Sequence, residues 1–193
     1  MTGELNQETV NTPPVDAATV VLLRDGDQGL ETLLLCRDNS RTVMNKAWVF
    51  PGGKLDQIDF APEVAETPLA TNAVEMLNEP ELDQGKACAL YRAACRETRE
   101  ETSVELLPDD LIPWSRWITP NEPSMMKKRF DARFFVSAIP AGQTAVHDGS
   151  EATDSKWLTP REALTAYLQH EMTLAPPQIM TCLLYTSPSP RDS

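Results

Sequence analysis

The sequence predicts an α/β/α sandwich, in which one mixed β-sheet lies between helices in a single domain. Segments rich in apolar and β-branched residues alternate along the chain with segments of helical periodicity. Residues 17–23 and 30–36 are two such apolar segments, and the turn at residues 25–29 between them predicts a β-hairpin. A helix is expected to begin near Gly85 and to continue to about residue 102, with one stripe suited to packing on the sheet.

Shorter segments supply the remaining elements. Strands are predicted at residues 47–50, 111–119, 130–139 and 155–158, the last taken as the final strand of the sheet. Thr159 followed by Pro160 predicts an N-cap and a first helical residue, so a helix should run from there to about Gln169.

Three segments are expected to lie apart from a core domain of residues 15–181. Residues 1–14 are polar and contain proline, which indicates a loose arm. Residues 57–85 form an acidic insertion without Lys or Arg, interpreted either as a surface excursion or as a lid or specificity wall beside the site. Residues 182–193 are interpreted as a non-native tail without function.

Composition and charge narrow the function classes. The chain has 193 residues and a formal net charge of −12, which argues against nucleic acid as a bulk partner. Its four cysteines have neither metal-site spacing nor a disulfide framework, so they are interpreted as reduced core residues of a cytoplasmic protein. Without a secretory or transmembrane stretch, no membrane partner is expected.

Three glutamates on the long predicted helix form the most informative pattern. Glu97, Glu100 and Glu101 are spaced i, i+3 and i+4, which places their carboxylates on one helix face. Like charges in that arrangement repel unless a cation lies among them, and oxygen ligands suit Mg²⁺ or Mn²⁺ rather than Zn²⁺. The competing interpretation is a solvated helix end with ordinary Arg–Glu pairs, since Arg96 lies four residues before Glu100.

The upstream segment Phe50-Pro51-Gly52-Gly53 favours the metal hypothesis. It places a glycine turn directly after a short predicted strand. Because Gly53 has no side chain, its backbone carbonyl could approach a metal ion held by the helix.

These two motifs together resemble the Nudix hydrolase family. Gly53 matches the first glycine of the family's sequence box, and Arg96, Glu97, Glu100, Glu101 and Val104 match its second half. Thr98 stands where the family has a hydrophobic residue, and Ser103 stands where it has glycine. The distance from Gly53 to Arg96 is longer than the family's by about thirty residues, so it stays open whether Asp59, Cys88 or no residue replaces the box's first glutamate.

The long interruption after Gly53 resembles one branch of this family, which includes peroxisomal coenzyme A diphosphatases and bacterial relatives. The resemblance implies a metal-dependent diphosphatase that hydrolyses a nucleoside-diphosphate-linked substrate, with coenzyme A or acyl-CoA as the favoured small molecule. Nucleotide sugars, NADH and capped nucleotides stay open as substrates. A catalytically silent Nudix-like ligand-binding module is the alternative from another class, and an acidic scaffold is a third.

The resemblance also implies roles for individual residues. Gly53, Glu97, Glu100 and Glu101 would hold Mg²⁺ or Mn²⁺, and Arg96 would orient a carboxylate. The proton of the attacking water would pass to Glu97 or Glu100, or else to Glu151, a carboxylate shortly before the predicted final strand. Arg41, Lys54 and Arg129 are interpreted either as substrate contacts or as ordinary surface residues. Trp114 and Trp117 are interpreted either as stacking partners for a base or as packing residues.

Overall fold

The computed structural model describes residues 9–37, 46–60, 68–121 and 128–186. Its strands are β1 (Val15–Gly26), β2 (Gly29–Arg37), β3 (Ala47–Val49), β4 (Gly52–Lys54), β5 (Ile112–Ile118), β6 (Phe130–Ala138), β7 (Ala152–Leu158) and β8 (Thr173–Leu174). Its α-helices are α1 (Pro68–Leu77), α2 (Gln84–Thr102), α3 (Pro160–Leu168) and α4 (Pro176–Thr186), with 3₁₀ turns at Gln57–Phe60 and Pro108–Asp110. None of the helices in these described ranges is long and apolar enough to cross a membrane.

All of these strands belong to one mixed sheet, as predicted. The order is β5-β6-β1-β2-β3-β8, while β4 pairs with β1 and β7 pairs with β2. Strands β1 and β6 run parallel, as do β3 and β8, and the other pairs are antiparallel. The predicted hairpin is confirmed, because β1 and β2 are joined by a tight turn in which Gly26 opposes Gly29.

Each face of the sheet carries its own hydrophobic core. Helix α2 packs on one face, where Tyr91 and Phe135 meet with ring centroids 4.7 Å apart. Helices α3 and α4 cover the other face, where Ala163 and Cys182 pack against Val21 and its neighbours. Two helical layers with a sheet between them give the α/β/α sandwich expected from the sequence.

The ends of α2 follow from local chemistry. The Asp83 side chain caps the first turn by accepting a hydrogen bond from the Lys86 amide at 2.9 Å. The helix ends because Ser103 adopts a left-handed conformation with φ of 60°, and its amide donates to the Arg99 carbonyl at 2.9 Å. A serine therefore occupies a backbone conformation that normally favours glycine.

The described part of the insertion is fixed to the sheet. Glu79, which follows α1, accepts two hydrogen bonds from Arg133, 3.0 Å from Nε to Oε1 and 2.7 Å from Nη2 to Oε2. Arg133 lies on β6 and is only 2% exposed. Asp16 and Asp131 complete its surroundings at 2.8 and 3.1 Å, so this buried cation is fully paired.

The described parts of the two terminal segments make tertiary contacts. Residues 9–14 were assigned to a loose arm, yet the Val10 amide donates to the Asn121 carbonyl at 2.9 Å. Strand β8 follows β7, so the prediction that residues 155–158 form the last strand is wrong. Helix α4 continues across the expected boundary between residues 181 and 182, and Tyr185 stacks on Trp114 at 5.4 Å.

Candidate active site

Glu97 lies directly against the glycine bend. Strand β4 runs beside β1, with Gly53 opposite Ala18, and α2 crosses this pair of strands. A β-carbon added to Gly53 would overlap the carboxyl group of Glu97, so only glycine leaves room for that carboxylate. Burial raises the pKa of Glu97, while the neighbouring guanidinium of Arg96 opposes that rise.

Glu101 is held by the same bend from one turn further along the helix. Its Oε2 accepts a hydrogen bond from the Gly52 amide at 2.9 Å, and its Oε1 contacts the guanidinium of Arg37. Arg37 also donates to the Gly52 carbonyl at 2.9 Å. The Glu101 side chain is 4% exposed, so its charge is compensated by one amide and one cation.

Glu100 completes the trio but faces solvent. Its side chain is 51% exposed, and Oε2 lies 3.0 Å from Nη1 of Arg96. The same nitrogen lies 2.9 Å from Oε1 of Glu97. The three carboxylates are therefore on one side of the helix, as expected, but each has an arginine partner and a different degree of exposure.

Asp59 contacts the arginine that holds two of the helix carboxylates. It lies in the 3₁₀ turn after β4, is 3% exposed, and accepts two hydrogen bonds from Arg96. Arg96 also donates to the Lys54 carbonyl at 3.1 Å. Cys88, the other candidate, packs in the hydrophobic core beneath α2. Arg96 thus joins the turn to two helix carboxylates. Its hydrogen bonds with Asp59 raise the pKa of the Arg96 guanidinium above its ordinary value.

Glu151 is brought to the same end of α2 by a loop. The amide of Val146 donates to the Thr102 carbonyl at 2.8 Å, and the amide of Asp148 donates to the Glu101 carbonyl at 3.2 Å. Asp148 in turn accepts from the amides of Glu151 and Ala152. Glu151 Oε2 lies 4.0 Å from Nη2 of Arg37, and its side chain is 66% exposed.

The predicted substrate contacts are placed less consistently. Lys54 has an exposed side chain on β4, next to Gly53. Arg129 donates to the carbonyls of Thr119 and Thr12 at 2.9 and 3.3 Å. Within the described part of the chain, its hydrogen bonds are therefore to the segment after β5 and to the segment before β1, and none of them is to the carboxylates. Arg41 lies outside the described residues.

Arg37 is the site residue that the candidate set left out. It is the last residue of β2 and directly follows the buried Cys36. A cation at the end of a buried strand lies at the boundary of the core, which is the signal that could have identified it. Trp117 packs partly buried against the second core, as the packing hypothesis expects, whereas Trp114 is 42% exposed.

The donor set fits a divalent metal in its chemistry, because the available ligand atoms are carboxylate and carbonyl oxygens. A β-carbon at Gly53 would overlap the present position of the Glu97 carboxylate. Within the described ranges, no three His, Cys, Asp or Glu side chains stand close enough together to hold an ion. In this arrangement Arg96 contacts Glu97 and Glu100, and Arg37 contacts Glu101.

Comparison with known proteins identifies the fold. Residues 103–183, which begin directly after α2, match the family model of the NUDT19 Nudix domain. The whole described fold is similar to a crystal structure of a NUDIX hydrolase from Alicyclobacillus acidocaldarius, with a TM-score of 0.67 and 22% identity over 94% of this chain and 96% of that one. The chain has the Nudix fold.

Two further relatives define what this Nudix-fold chain resembles. It is 36% identical to acyl-coenzyme A diphosphatase NUDT19 of Xenopus laevis over 85 residues, which are 44% of this chain and 21% of that protein. The NUDIX domain of Shewanella oneidensis NrtR, solved in complex with ADP ribose, has a TM-score of 0.58 and 16% identity over 89% of this chain and 85% of that one. The chain therefore spans about a fifth of the length of this curated relative.

Proposed function

We propose that this chain is a metal-dependent diphosphatase, with coenzyme A or an acyl-CoA as its substrate. The observation that carries the proposal is the contact of Glu97 with Gly53, where an added β-carbon would overlap the carboxylate in its present position. The similarity to an acyl-coenzyme A diphosphatase supports the substrate class. The family match begins at residue 103, so the carboxylates on α2 support the activity independently of it.

The proposed reaction is attack of water on phosphorus in a diphosphate. The water oxygen forms a new P–O bond, the bridging P–O bond breaks, and the bridging oxygen leaves with one phosphate. Bound Mg²⁺ or Mn²⁺ would offset the phosphate charge and lower the pKa of water. Cleavage of coenzyme A in this way would give 3′,5′-ADP and 4′-phosphopantetheine.

The roles of the chain's own residues follow from their surroundings. Gly53, Glu97, Glu100 and Glu101 are the proposed metal ligands. Glu97 is the favoured proton acceptor because it is the carboxylate that lies directly against the Gly53 bend. Glu100 and Glu151 are the alternative acceptors, and both are exposed enough to meet a substrate.

Arginines and one lysine are proposed to position the carboxylates and the substrate. Arg96 fixes Glu97 and Glu100 relative to Asp59, which keeps the carboxylates in place before a substrate arrives. Lys54, exposed beside Gly53, and Arg41 are proposed to contact phosphate groups, because an acidic chain needs local cations to accept an anionic substrate. We include Arg129 only as a distal candidate, given its bonds to two carbonyls.

A product assay tests this function. Purified protein with Mg²⁺ or Mn²⁺ is incubated with coenzyme A, an acyl-CoA and ADP-ribose, and the products are separated by chromatography. Wild type should release 3′,5′-ADP from coenzyme A, and Glu100→Gln should lower kcat by at least about 100-fold, the scale at which loss of a metal-site ligand affects turnover. Glu105→Gln, an exposed glutamate in the following loop, is the matched control.

One observation favours a second candidate, a catalytically silent ligand-binding module. No group of three ligands is assembled within the described residues, and a ligand-bound Nudix domain is known from NrtR. A silent module would bind coenzyme A or ADP-ribose with unchanged affinity in Glu100→Gln and would turn over neither. Release of 3′,5′-ADP from coenzyme A by the wild type, but not by Glu100→Gln, would contradict the silent module.

A cytoplasmic location is part of the proposal. Its support is the state of the four cysteines, which are free thiols and of which three are buried. Such thiols persist in a reducing compartment.

A further inference from the structure

Arg37 lies between two carboxylates that come from different parts of the chain. Its Nη2 contacts Oε1 of Glu101 on α2 and lies 4.0 Å from Oε2 of Glu151 before β7. The first carboxylate is almost buried and the second is 66% exposed. A hydrogen bond of 2.9 Å to the Gly52 carbonyl fixes the guanidinium at the glycine bend.

The hydrogen bonding of this guanidinium is incomplete in the present arrangement. Its Nε is buried and has no hydrogen-bond partner within the described part of the chain. A buried donor without a partner costs free energy, so the contact with Glu101 is not the best arrangement available to a guanidinium. Partner exchange therefore carries a smaller penalty here than at a fully bonded arginine.

We propose that Arg37 is an internal counter-ion that occupies Glu101 until a divalent cation displaces it, and that the displaced guanidinium then pairs with Glu151. A carboxylate that accepts a hydrogen bond from Arg37 has fewer free lone pairs for a metal. The guanidinium and the metal ion therefore compete for Glu101. The exchange lowers metal affinity and keeps the nearly buried Glu101 charge compensated when no metal is bound. This inference rests on the proposed metal site.

Geometry supports Glu151 as the receiving carboxylate. The loop that carries it is fixed to the last turn of α2 by two backbone hydrogen bonds, at Thr102 and at Glu101 itself. These bonds place the loop that carries Glu151 at the end of α2, beside Arg37. A short rotation of the side chain is sufficient for the exchange, because Nη2 already lies within ion-pair distance of both carboxylates.

Calorimetric titration of Mn²⁺ into metal-free protein tests the competition. Arg37→Met should bind Mn²⁺ about tenfold more tightly than wild type, since one charge-assisted hydrogen bond no longer has to be broken. Arg24→Met removes the same charge from a surface pair with Glu31 and should stay within about twofold of wild type at physiological salt. Equal or weaker binding by Arg37→Met would overturn the inference.

A double-mutant cycle tests the receiving carboxylate. Glu151→Gln should weaken Mn²⁺ binding about threefold in the wild-type background, the value of an exposed ion pair, and should have no effect in Arg37→Met. An equal loss in both backgrounds would mean that Glu151 acts on the metal without Arg37, which contradicts the exchange.

Two further measurements guard against a folding defect. If Arg37→Met does not fold, Arg37→Lys replaces it, because a lysine cannot bond Gly52 and Glu101 with the same planar geometry and should bind Mn²⁺ more tightly than wild type. In EDTA, Arg37→Met should melt at a lower temperature than wild type, and Mn²⁺ should raise its Tm by more. Equal Mn²⁺-induced shifts in the two proteins would contradict the competition.

These outcomes separate the inference from the proposed function. Tighter Mn²⁺ binding by Arg37→Met without turnover of any substrate would support the exchange and contradict the diphosphatase. Equal Mn²⁺ binding by wild type and Arg37→Met, with normal turnover of substrate, would support the diphosphatase and contradict the exchange. Failure of wild type and Arg37→Met to bind Mn²⁺ at all would contradict both.

Discussion

Two parallel hydrogen bonds join Arg96 to Asp59, 2.8 Å from Nε to Oδ1 and 2.9 Å from Nη2 to Oδ2. The remaining guanidinium nitrogen of Arg96 contacts Glu97 and Glu100, so one side chain connects the turn after β4 to the helix. The geometry of the candidate site therefore depends on Asp59, which lies about forty positions before the helix carboxylates in the chain.

Removing the charge of Asp59 should destabilise the fold. Because the carboxylate is 3% exposed and paired bidentately, Asp59→Asn should lower the free energy of unfolding by about 2 to 3 kcal/mol, measured by urea unfolding in EDTA. Asp109→Asn, at an exposed position, should change it by less than about 0.5 kcal/mol. Combining Asp59→Asn with Arg96→Gln should cost less than the sum of the two single changes, and strict additivity would show that the pair is not coupled.

Ser103 offers a stabilising change. Its φ of 60° strains a residue with a β-carbon, so Ser103→Gly should raise the free energy of unfolding by about 1 kcal/mol, measured by thermal melting. Arg99→Gly, one turn earlier in the same helix, should lower it by about 1 kcal/mol because glycine is unfavourable inside a helix. A loss of stability in Ser103→Gly would mean that the serine side chain makes a compensating contact.

Local signals in the sequence predicted the elements that have strong local causes. The β1–β2 hairpin follows from apolar alternation around a glycine turn, α2 from its helical stripe, and the start of α3 from Thr159, whose hydroxyl accepts from the Glu162 amide. Strand β8 has only two residues, so it shows no periodicity, and its pairing with β3 depends on tertiary structure.

The candidate site divides in the same way. Glu97, Glu100 and Glu101 were predicted to share a helix face because their spacing is a local property, and the structure places Glu97 against Gly53 and Glu101 against Gly52. The choice between Asp59 and Cys88 was not possible from spacing, since the insertion makes both distances equivalent. The engagement of Arg37 with Glu101 joins residues 64 positions apart, which no local pattern records.

The insertion should loosen when its buried ion pair is broken. Glu79→Gln leaves Arg133 without its bidentate partner, so it should lower the free energy of unfolding by about 3 kcal/mol and speed amide exchange over residues 72–82. Glu81→Gln is the matched control, because Glu81 is 65% exposed and 3.4 Å from Arg116. Unchanged exchange in Glu79→Gln would show that other contacts fix the insertion.

Asp148 predicts a defined dependence on pH. A hydrogen bond from the Ser150 hydroxyl, followed by backbone amides, lowers its pKa from 3.8 to about 2. Its folded-state pKa is below the unfolded value, so its stabilising effect is complete above pH 3.8 and is lost as the pH falls through 2. The Tm difference between wild type and Asp148→Asn should be constant from about pH 6 to pH 4 and should shrink below that.

The turn residue Asp27 supplies the control for this experiment. Asp27→Asn is exposed and should shift the Tm little at any of these pH values. A Tm difference for Asp148→Asn that grows as the pH falls would contradict the assigned hydrogen bonds.

The central claim is that a divalent ion binds the α2 carboxylates beside Gly53, and calorimetric titration of Mn²⁺ into three proteins tests it most directly. Wild type should bind saturably. Gly53→Ala should bind at least about tenfold more weakly, because its β-carbon displaces Glu97. Gly85→Ala, whose β-carbon would come no closer than 3.2 Å to its nearest neighbour, should bind like wild type. Absence of binding in wild type, or equal binding in all three, would contradict the account.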